Sequence, residues 1–342
     1  MAPQIFGGRW KIQESLPEGG QAHTFRVVDL KGDGKTSYAL KRLKNVQRLE
    51  RFRSEVEALR SLVHPNVIKL IDFDFEAERP YLVSEFCAGG NLEENIGRFS
   101  QDPIQALALF LQICEGVAAA HHQGIIHRDL KPTNILLRNS DGPPVVADFG
   151  LCYLEGGERH TLTEEAVGPR WFMAPELEDG RASDITPASD IYSLGKLLYW
   201  LISGGKIFSR EKHREPNVNL VSLFQFQDPG LEHVNRILDQ MIVSEPDQRF
   251  QFVSQVAKSI HKAIRLLKHD YRAVSPDIPQ RCTYCGEGVY KIMSKGIDVS
   301  VENFGLKRAG AADWRIMVCD QCGHVQLFRI DLAERKDWWG RR

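Results

Sequence analysis

The sequence predicts an α+β protein, with a small strand-rich lobe, a larger helical lobe and, beyond a linker, a small cysteine-bearing β domain. Three observations predict it. Short alternating segments broken by glycine run from Trp10 to about Ile71 around one amphipathic helix; beyond GGNLEENI (89–96) the apolar periodicity becomes helical; and two C-x-x-C pairs stand near the C-terminus.

The strand segments are RWKIQESL, TFRVVDL and TSYALKRL, separated by glycine-containing turns. RLERFRSEVEALRSL then changes period, with Phe52, Val56, Leu59 and Leu62 on one stripe and charges opposite, which predicts a helix. VIKLIDFDFE and RPYLVSEF return to β character. PIQALALFLQICEGVAAAHHQG, DIYSLGKLLYWLISG and FVSQVAKSIHKAIRLLKHD supply helices, and AVSPDIPQ, with two prolines, reads as a linker. The expected organisation is a main domain over 9–268, a linker over 269–280, a small cysteine-bearing domain over 281–332 and a tail over 333–342.

The chain of 342 residues is 42% hydrophobic and 26% charged, enough apolar content to build a core and far from a disordered composition. A formal net charge of −1 gives no global electrostatic footprint for nucleic acid or an anionic membrane. The N-terminus lacks a basic flank followed by an apolar run, and no segment approaches the roughly 18 uninterrupted apolar residues of a membrane span, so a cytoplasmic protein is expected. Seven cysteines without a leader pattern, four of them paired as C-x-x-C, fit a metal site better than a disulfide framework.

The strongest motif is HRDLKPTN (127–134), followed by VVADFG (145–150). On these residues the chain resembles the eukaryotic-like protein kinases over 9–268, which implies their bilobal fold, with ATP and magnesium as cofactors. The resemblance implies that Asp129 orients the attacking hydroxyl and accepts its proton, assisted by Lys131, and that Asn134 and Asp148 hold magnesium. Hard oxygen ligands suit that ion. Lys131, two residues after Asp129, is the serine/threonine-type arrangement, so a protein substrate phosphorylated on Ser or Thr is expected, with the chain itself among the targets.

Lys41, ending SYALK, resembles the kinase lysine that contacts the α and β phosphates, and Glu55 sits where its ion-pair partner is expected, with Glu57 a nearby alternative register. LPEGGQAHTF keeps Gly19 and Gly20 but carries Pro17, Ala22 and Thr24 where the family usually has Gly, Gly and Val, which predicts a stiffer lid over the phosphates. YLVSEFCAGGNL resembles the hinge, where Glu85 and Cys87 would meet adenine and Ser84 would be a small gatekeeper.

GPRWFMAPE resembles the end of the activation segment, with Pro169 where the family has Thr; Thr161 and Thr163 are candidate phosphorylation sites that Arg128 could pair with. Asp190 resembles the residue that braces the catalytic loop, and Glu176 with Arg249 the buried ion pair. Small-molecule phosphotransferases generally lack this set, which favours a protein substrate.

RCTYCGEG and VCDQCGH place Cys282, Cys285, Cys319 and Cys322 as two knuckles, each aiming two thiolates at one ion, as in a zinc ribbon. A closed four-cysteine site has no open position, so zinc here is structural; a redox pair is the alternative. Cys87, Cys114 and Cys152 read as packing residues and His324 as a neighbour of the zinc site. Around Lys307, Arg308, Arg341 and Arg342 the basic density is low for nucleic acid, although Trp314, Trp338 and Trp339 are present; a protein partner for the tail is the expectation, and oligomeric state is not encoded in these motifs. Two further readings stay open: a pseudokinase-like nucleotide sensor presenting a partner-binding ribbon, and a kinase acting on a small molecule.

Overall fold

A computed structural model describes residues 5–17, 22–99, 102–149, 153–154, 171–179, 185–223, 231–268, 282, 284–285, 287–292 and 314–329. Gly19, Gly20, Gly150, Cys152, Thr161, Thr163, Pro169 and the residues of the tail beyond 329 lie outside them. The chain divides into two compact units, one drawn from residues 1–227 and 234–264, the other from 228–233 and 265–342.

The first unit opens with strands β1 (Ile5–Phe6), β2 (Trp10–Ser15), β3 (Ala22–Asp29) and β4 (Ser37–Leu43), followed by helix α1 (Leu49–Ser61) and strands β5 (Leu70–Asp74) and β6 (Tyr81–Glu85). They form one antiparallel sheet in the order β1-β2-β3-β4-β6-β5. β1 is an addition to the three strands predicted before the helix; only two residues long, it is too short to show a period, and it turns into β2 through Gly7 and Gly8 at φ 52° and 62°.

Strand alternation separates two apolar layers. Leu40 and Val83, paired across β4 and β6, join Phe6, Trp10, Val27 and Tyr81 in one layer, and Leu43 and Leu82 join Phe52 and Val56 of α1 in the other. Trp10 is fully buried, and its indole N–H donates to Asp72 at 2.8 Å, so the largest side chain of its layer leaves no unpaired donor.

The larger lobe contains α2 (Ile96–Phe99), α3 (Pro103–His122), β7 (Ile125–Ile126), β8 (Ile135–Leu137), β9 (Pro144–Val146), β10 (Tyr153–Leu154), α4 (Pro175–Glu178), α5 (Pro187–Ile202), α6 (Leu220–Leu223), α7 (Glu232–Leu238) and α8 (Val253–Lys268). Asp102 caps α3 by accepting from Ile104 N–H and Gln105 N–H, with Pro103 at the first helical position. α3 is long and apolar enough by composition to cross a membrane, but half of its apolar window is buried, and it packs on α5 and β9. From Ala188 to Ile202 every residue of α5 is buried. Short pairs β8–β9 and β7–β10 flank the loop between β7 and β8; none of the four exceeds three residues.

The second unit carries β11 (Tyr290–Ile292), β12 (Trp314–Cys319) and β13 (Val325–Arg329) as an antiparallel sheet in that order. β11 and β13 lie in the segments predicted as strands after each knuckle, and β12 closes the longer segment between them.

Candidate active site and metal centre

Lys41 and Leu82 face each other across β4 and β6, so Lys41 shares the sheet face that α1 covers. On α1 the buried positions Phe52, Glu55, Val56 and Leu59 follow helical spacing, which brings Glu55 inward while Glu57 is exposed. Lys41 Nζ donates to both Glu55 oxygens, at 2.8 and 2.9 Å, and to Asp148 Oδ1 at 2.9 Å. Burial works against the Lys41 charge, but Asp148 and Glu55 outweigh it and raise its pKa above the ordinary value. The same ammonium lowers Asp148 to about 2. Burial raises Glu55 against the pull of Lys41.

Asp148 follows β9 at φ 62°, a conformation rare outside glycine. Its neighbour Phe149 is fully buried, with its ring 4.6 Å from that of His127, which anchors one side of the strained turn. His127 Nε2 lies 3.0 Å from the Ala147 carbonyl and anchors the other.

Asp129 Oδ2 accepts from Lys131 Nζ at 2.8 Å and from Asn134 Nδ2 at 3.0 Å. Asn134 Nδ2 also donates to the Asp129 carbonyl at 2.7 Å. Both amide protons of Asn134 are therefore engaged within the loop, leaving its carbonyl oxygen as the atom suited to a hard cation. The backbone beneath is held by Asp190, whose carboxylate accepts from the N–H groups of His127 and Arg128, each at 2.8 Å, and pairs with His121 Nε2 at 2.8 Å. Burial alone would raise the Asp190 pKa, yet His121 and these N–H groups hold it below the usual carboxylate range. Glu176 and Arg249, both fully buried side chains, pair through two bonds of 2.7 and 2.8 Å.

At the predicted hinge, Glu85 ends β6 and its carboxylate is taken by Arg138 at 2.8 and 3.0 Å and by Lys69 N–H at 3.0 Å. Gly89 comes so close to Asn139 that a Cβ would stand 2.4 Å from its carbonyl oxygen. The chain after the hinge is pinned to β8 by Ala88 N–H and Gly89 N–H, which donate to the Arg138 and Leu137 carbonyls, both at 3.0 Å. Ser84, half-buried, lies opposite Ala39 of β4. Burial raises Cys87 to about 12 and lifts Cys114 further, which makes both unreactive as thiolates.

In the second unit the four Sγ atoms of Cys282, Cys285, Cys319 and Cys322 lie within 4.8 Å of one another. Thiolates around tetrahedral zinc, with bonds of about 2.3 Å, stand about 3.8 Å apart. Cys282 and Cys322 are 3.6 Å apart and Cys285 and Cys319 are 3.7 Å apart, so the set fits that ion. Gly323, at φ 72°, supplies the turn after the second knuckle, and a Cβ at Gly288 would stand 2.1 Å from Cys319 Sγ. Backbone N–H groups of Gly288 and Gln321 donate to Cys285 and Cys319 sulfurs at 3.3 and 3.4 Å. His324 Nδ1 is 3.8 Å from Cys282 Sγ and 2.7 Å from the Tyr290 hydroxyl, a neighbour beyond the four sulfurs.

The protein kinase domain family matches residues 10–271. The chain belongs to the protein kinase family. Its relatives within that family include serine/threonine kinases. It is 34% identical over 212 residues to serine/threonine-protein kinase PknL of Mycobacterium tuberculosis, covering 60% of this chain and 52% of that one. It is 27% identical over 278 residues to a probable serine/threonine-protein kinase, CE0033, of Corynebacterium efficiens, covering 75% and 41%. With serine/threonine-protein kinase PrkC of Bacillus subtilis it shares 28% over 267 residues, covering 75% and 40%. The chain thus spans about half the length or less of these relatives.

Some residues of the kinase site carried no sequence signal. Arg138 is one cation just after the apolar strand β8, and His121 is one of two adjacent histidines on α3; only the folded chain brings them to Glu85 and Asp190.

Proposed function

We propose that this protein transfers the γ-phosphate of ATP to Ser or Thr hydroxyls of protein substrates, itself included, with Lys41, Glu55, Asp129, Lys131, Asn134 and Asp148 as its working set. The observation that carries this reading is the continuous polar chain Glu55–Lys41–Asp148 on one side of the site and Lys131–Asp129–Asn134 on the other. With Asp129 Oδ2 committed to Lys131 and Asn134, Oδ1 is the atom that accepts the proton of the attacking hydroxyl. Lys131, at 2.8 Å from Asp129, adds positive charge where the transferred phosphoryl group becomes negative. Lys41 keeps two donors on Glu55, and its third, now on Asp148, is placed for the α and β phosphates. Asp148 and Asn134 Oδ1 would hold magnesium, which neutralises the phosphates and orients them for in-line attack. Backbone groups of Glu85 and Cys87 would meet adenine, and Gly19 and Gly20 would lie over the phosphates.

The cysteine unit is read as a zinc-stabilised module for targeting or regulation through a protein partner, with the kinase domain over 9–268 and the module over 281–332. Cytoplasmic action on protein substrates is part of the same reading. Incubation with labelled ATP and magnesium, followed by phosphoamino-acid analysis of the chain and of added proteins, tests the reading. Phosphoserine or phosphothreonine is expected; phosphate on no protein under any activation condition overturns it.

A further inference from the structure

One buried charge belongs neither to the phosphotransfer set nor to the scaffold ion pair. α5 is buried from Ala188 to Ile202, and Lys196 stands in the middle of it at 4% exposure. A lysine in a fully buried helix is costly unless its donors are satisfied. Here they are, by one segment: Nζ donates to the Phe208 carbonyl at 2.7 Å and the Arg210 carbonyl at 3.0 Å, and lies 3.6 Å from the centre of the Phe208 ring. Neither bond goes to a carboxylate.

The segment so held is itself strained. Arg210 adopts φ 48°, unusual for a residue with a side chain, and its carbonyl is one of the two that Lys196 takes. Its guanidinium reaches Glu178 on α4 at 3.0 Å. Glu178 lies two residues beyond Glu176, which Arg249 locks into the lobe, so α4 is fixed at one end by the buried pair and further along by Arg210. A second tie runs from the Tyr192 hydroxyl on α5 to Glu211 at 3.2 Å. α4 directly continues residues 171–174, where Trp171 is exposed at the end of the activation segment.

We propose that Lys196 is a positioning residue for the protein acceptor: it holds residues 208–211 on α5 and, through Arg210 and Glu178, fixes residues 171–179 for acceptor binding. This rests on the protein-kinase reading above. It assigns Lys196 no part in ATP binding or in the chemical step, which are left to Lys41 and Asp129.

The test compares the full-length chain with Lys196→Met, Arg210→Gln and Glu178→Gln, using dephosphorylated casein as acceptor, with hydrogen exchange followed in 171–179. Lys196→Met is expected to raise the acceptor KM about tenfold while the ATP KM stays within about twofold, the signature of lost ground-state positioning of one substrate. Arg210→Gln and Glu178→Gln change only partly exposed side chains and should reproduce the acceptor effect even if Lys196→Met destabilises the fold. The Lys196→Met/Glu178→Gln double variant should be no worse than Lys196→Met alone. Exchange should quicken in 171–179 and not in α1. An unchanged acceptor KM in the variants, or an equal rise in both KM values, overturns the proposal. If the unmodified chain phosphorylates nothing, the kinase reading fails separately; unchanged exchange in 171–179 then overturns the proposed coupling, and selectively faster exchange supports it.

Discussion

Asp190 holds Arg128 in a left-handed backbone conformation: Asp190 Oδ1 accepts the Arg128 N–H at 2.8 Å, and Arg128 sits at φ 68°. A non-glycine residue there is strained by about 1–2 kcal/mol, comparable to what one hydrogen bond to a charged acceptor contributes. Asp190→Asn keeps the size but removes the charge and one acceptor. We expect kcat to fall about 10- to 100-fold with the ATP KM little changed, because the loop carrying Asp129 loses its brace rather than its chemistry. Steady-state kinetics decide it, and an unaltered kcat would show that the loop needs no such support.

Asp129→Asn preserves shape and one oxygen but removes the base. Phosphate transfer should fall by about 10²- to 10⁴-fold, the usual contribution of a positioned proton acceptor. Circular dichroism and the unfolding midpoint should match the unmodified protein. Full activity in this variant would remove Asp129 from the mechanism.

The Glu176–Arg249 pair is buried on both sides, and Arg249 also donates to the Val243, Ser244 and Ala188 carbonyls. Arg249→Met leaves Glu176 as an uncompensated buried carboxylate, which should destabilise the domain by about 3–5 kcal/mol. Urea unfolding measures this, and a loss below about 1 kcal/mol would mean that Glu176 finds other partners or is neutralised at little cost.

Burial lowers Lys196 to about 7, against the pull of Glu211 and Glu178. In the unfolded chain a lysine titrates near 10.4. Between these values the unfolded state binds a proton that the folded state does not, so this residue's contribution to stability rises with pH from about 7 to about 10.4 and is flat outside that window. A neutral amine still offers two N–H donors, enough for the two carbonyls it meets. The stability difference between the unmodified protein and Lys196→Met should therefore grow by about 1 kcal/mol per pH unit between pH 7.5 and 9.5. Paired denaturation curves across that range read the slope, and parallel curves would place the Lys196 pKa near its ordinary value.

Zinc should be bound at about one ion per chain, and Cys319→Ser should lower that content, because three thiolates and a hydroxyl make a poorer site than four thiolates. Elemental analysis after removal of loosely held metal is the measurement. A full chain with well under one zinc would favour the redox alternative for these cysteines.

Much of this protein was legible before folding because its signals are local. The kinase-like motifs put Lys41 at the end of SYALK and Glu55 on the following helix as its expected partner, with Glu57 the nearby alternative, and HRDLKPTN placed Asp129, Lys131 and Asn134 within one loop. The C-x-x-C knuckles likewise show by spacing alone which four cysteines belong together. What sequence by itself could not determine depends on pairs far apart along the chain. Glu55 is separated from Glu57 as the partner of Lys41 only by which side of α1 packs on the sheet; Asp190 reaches Arg128 across 62 positions and Arg138 reaches Glu85 across 53. Lys196 is the clearest case. In the sequence it is one cation within an apolar helix, and only the burial of that helix on all sides turns it into a clamp, because a buried amine must take whichever carbonyls the fold brings to it.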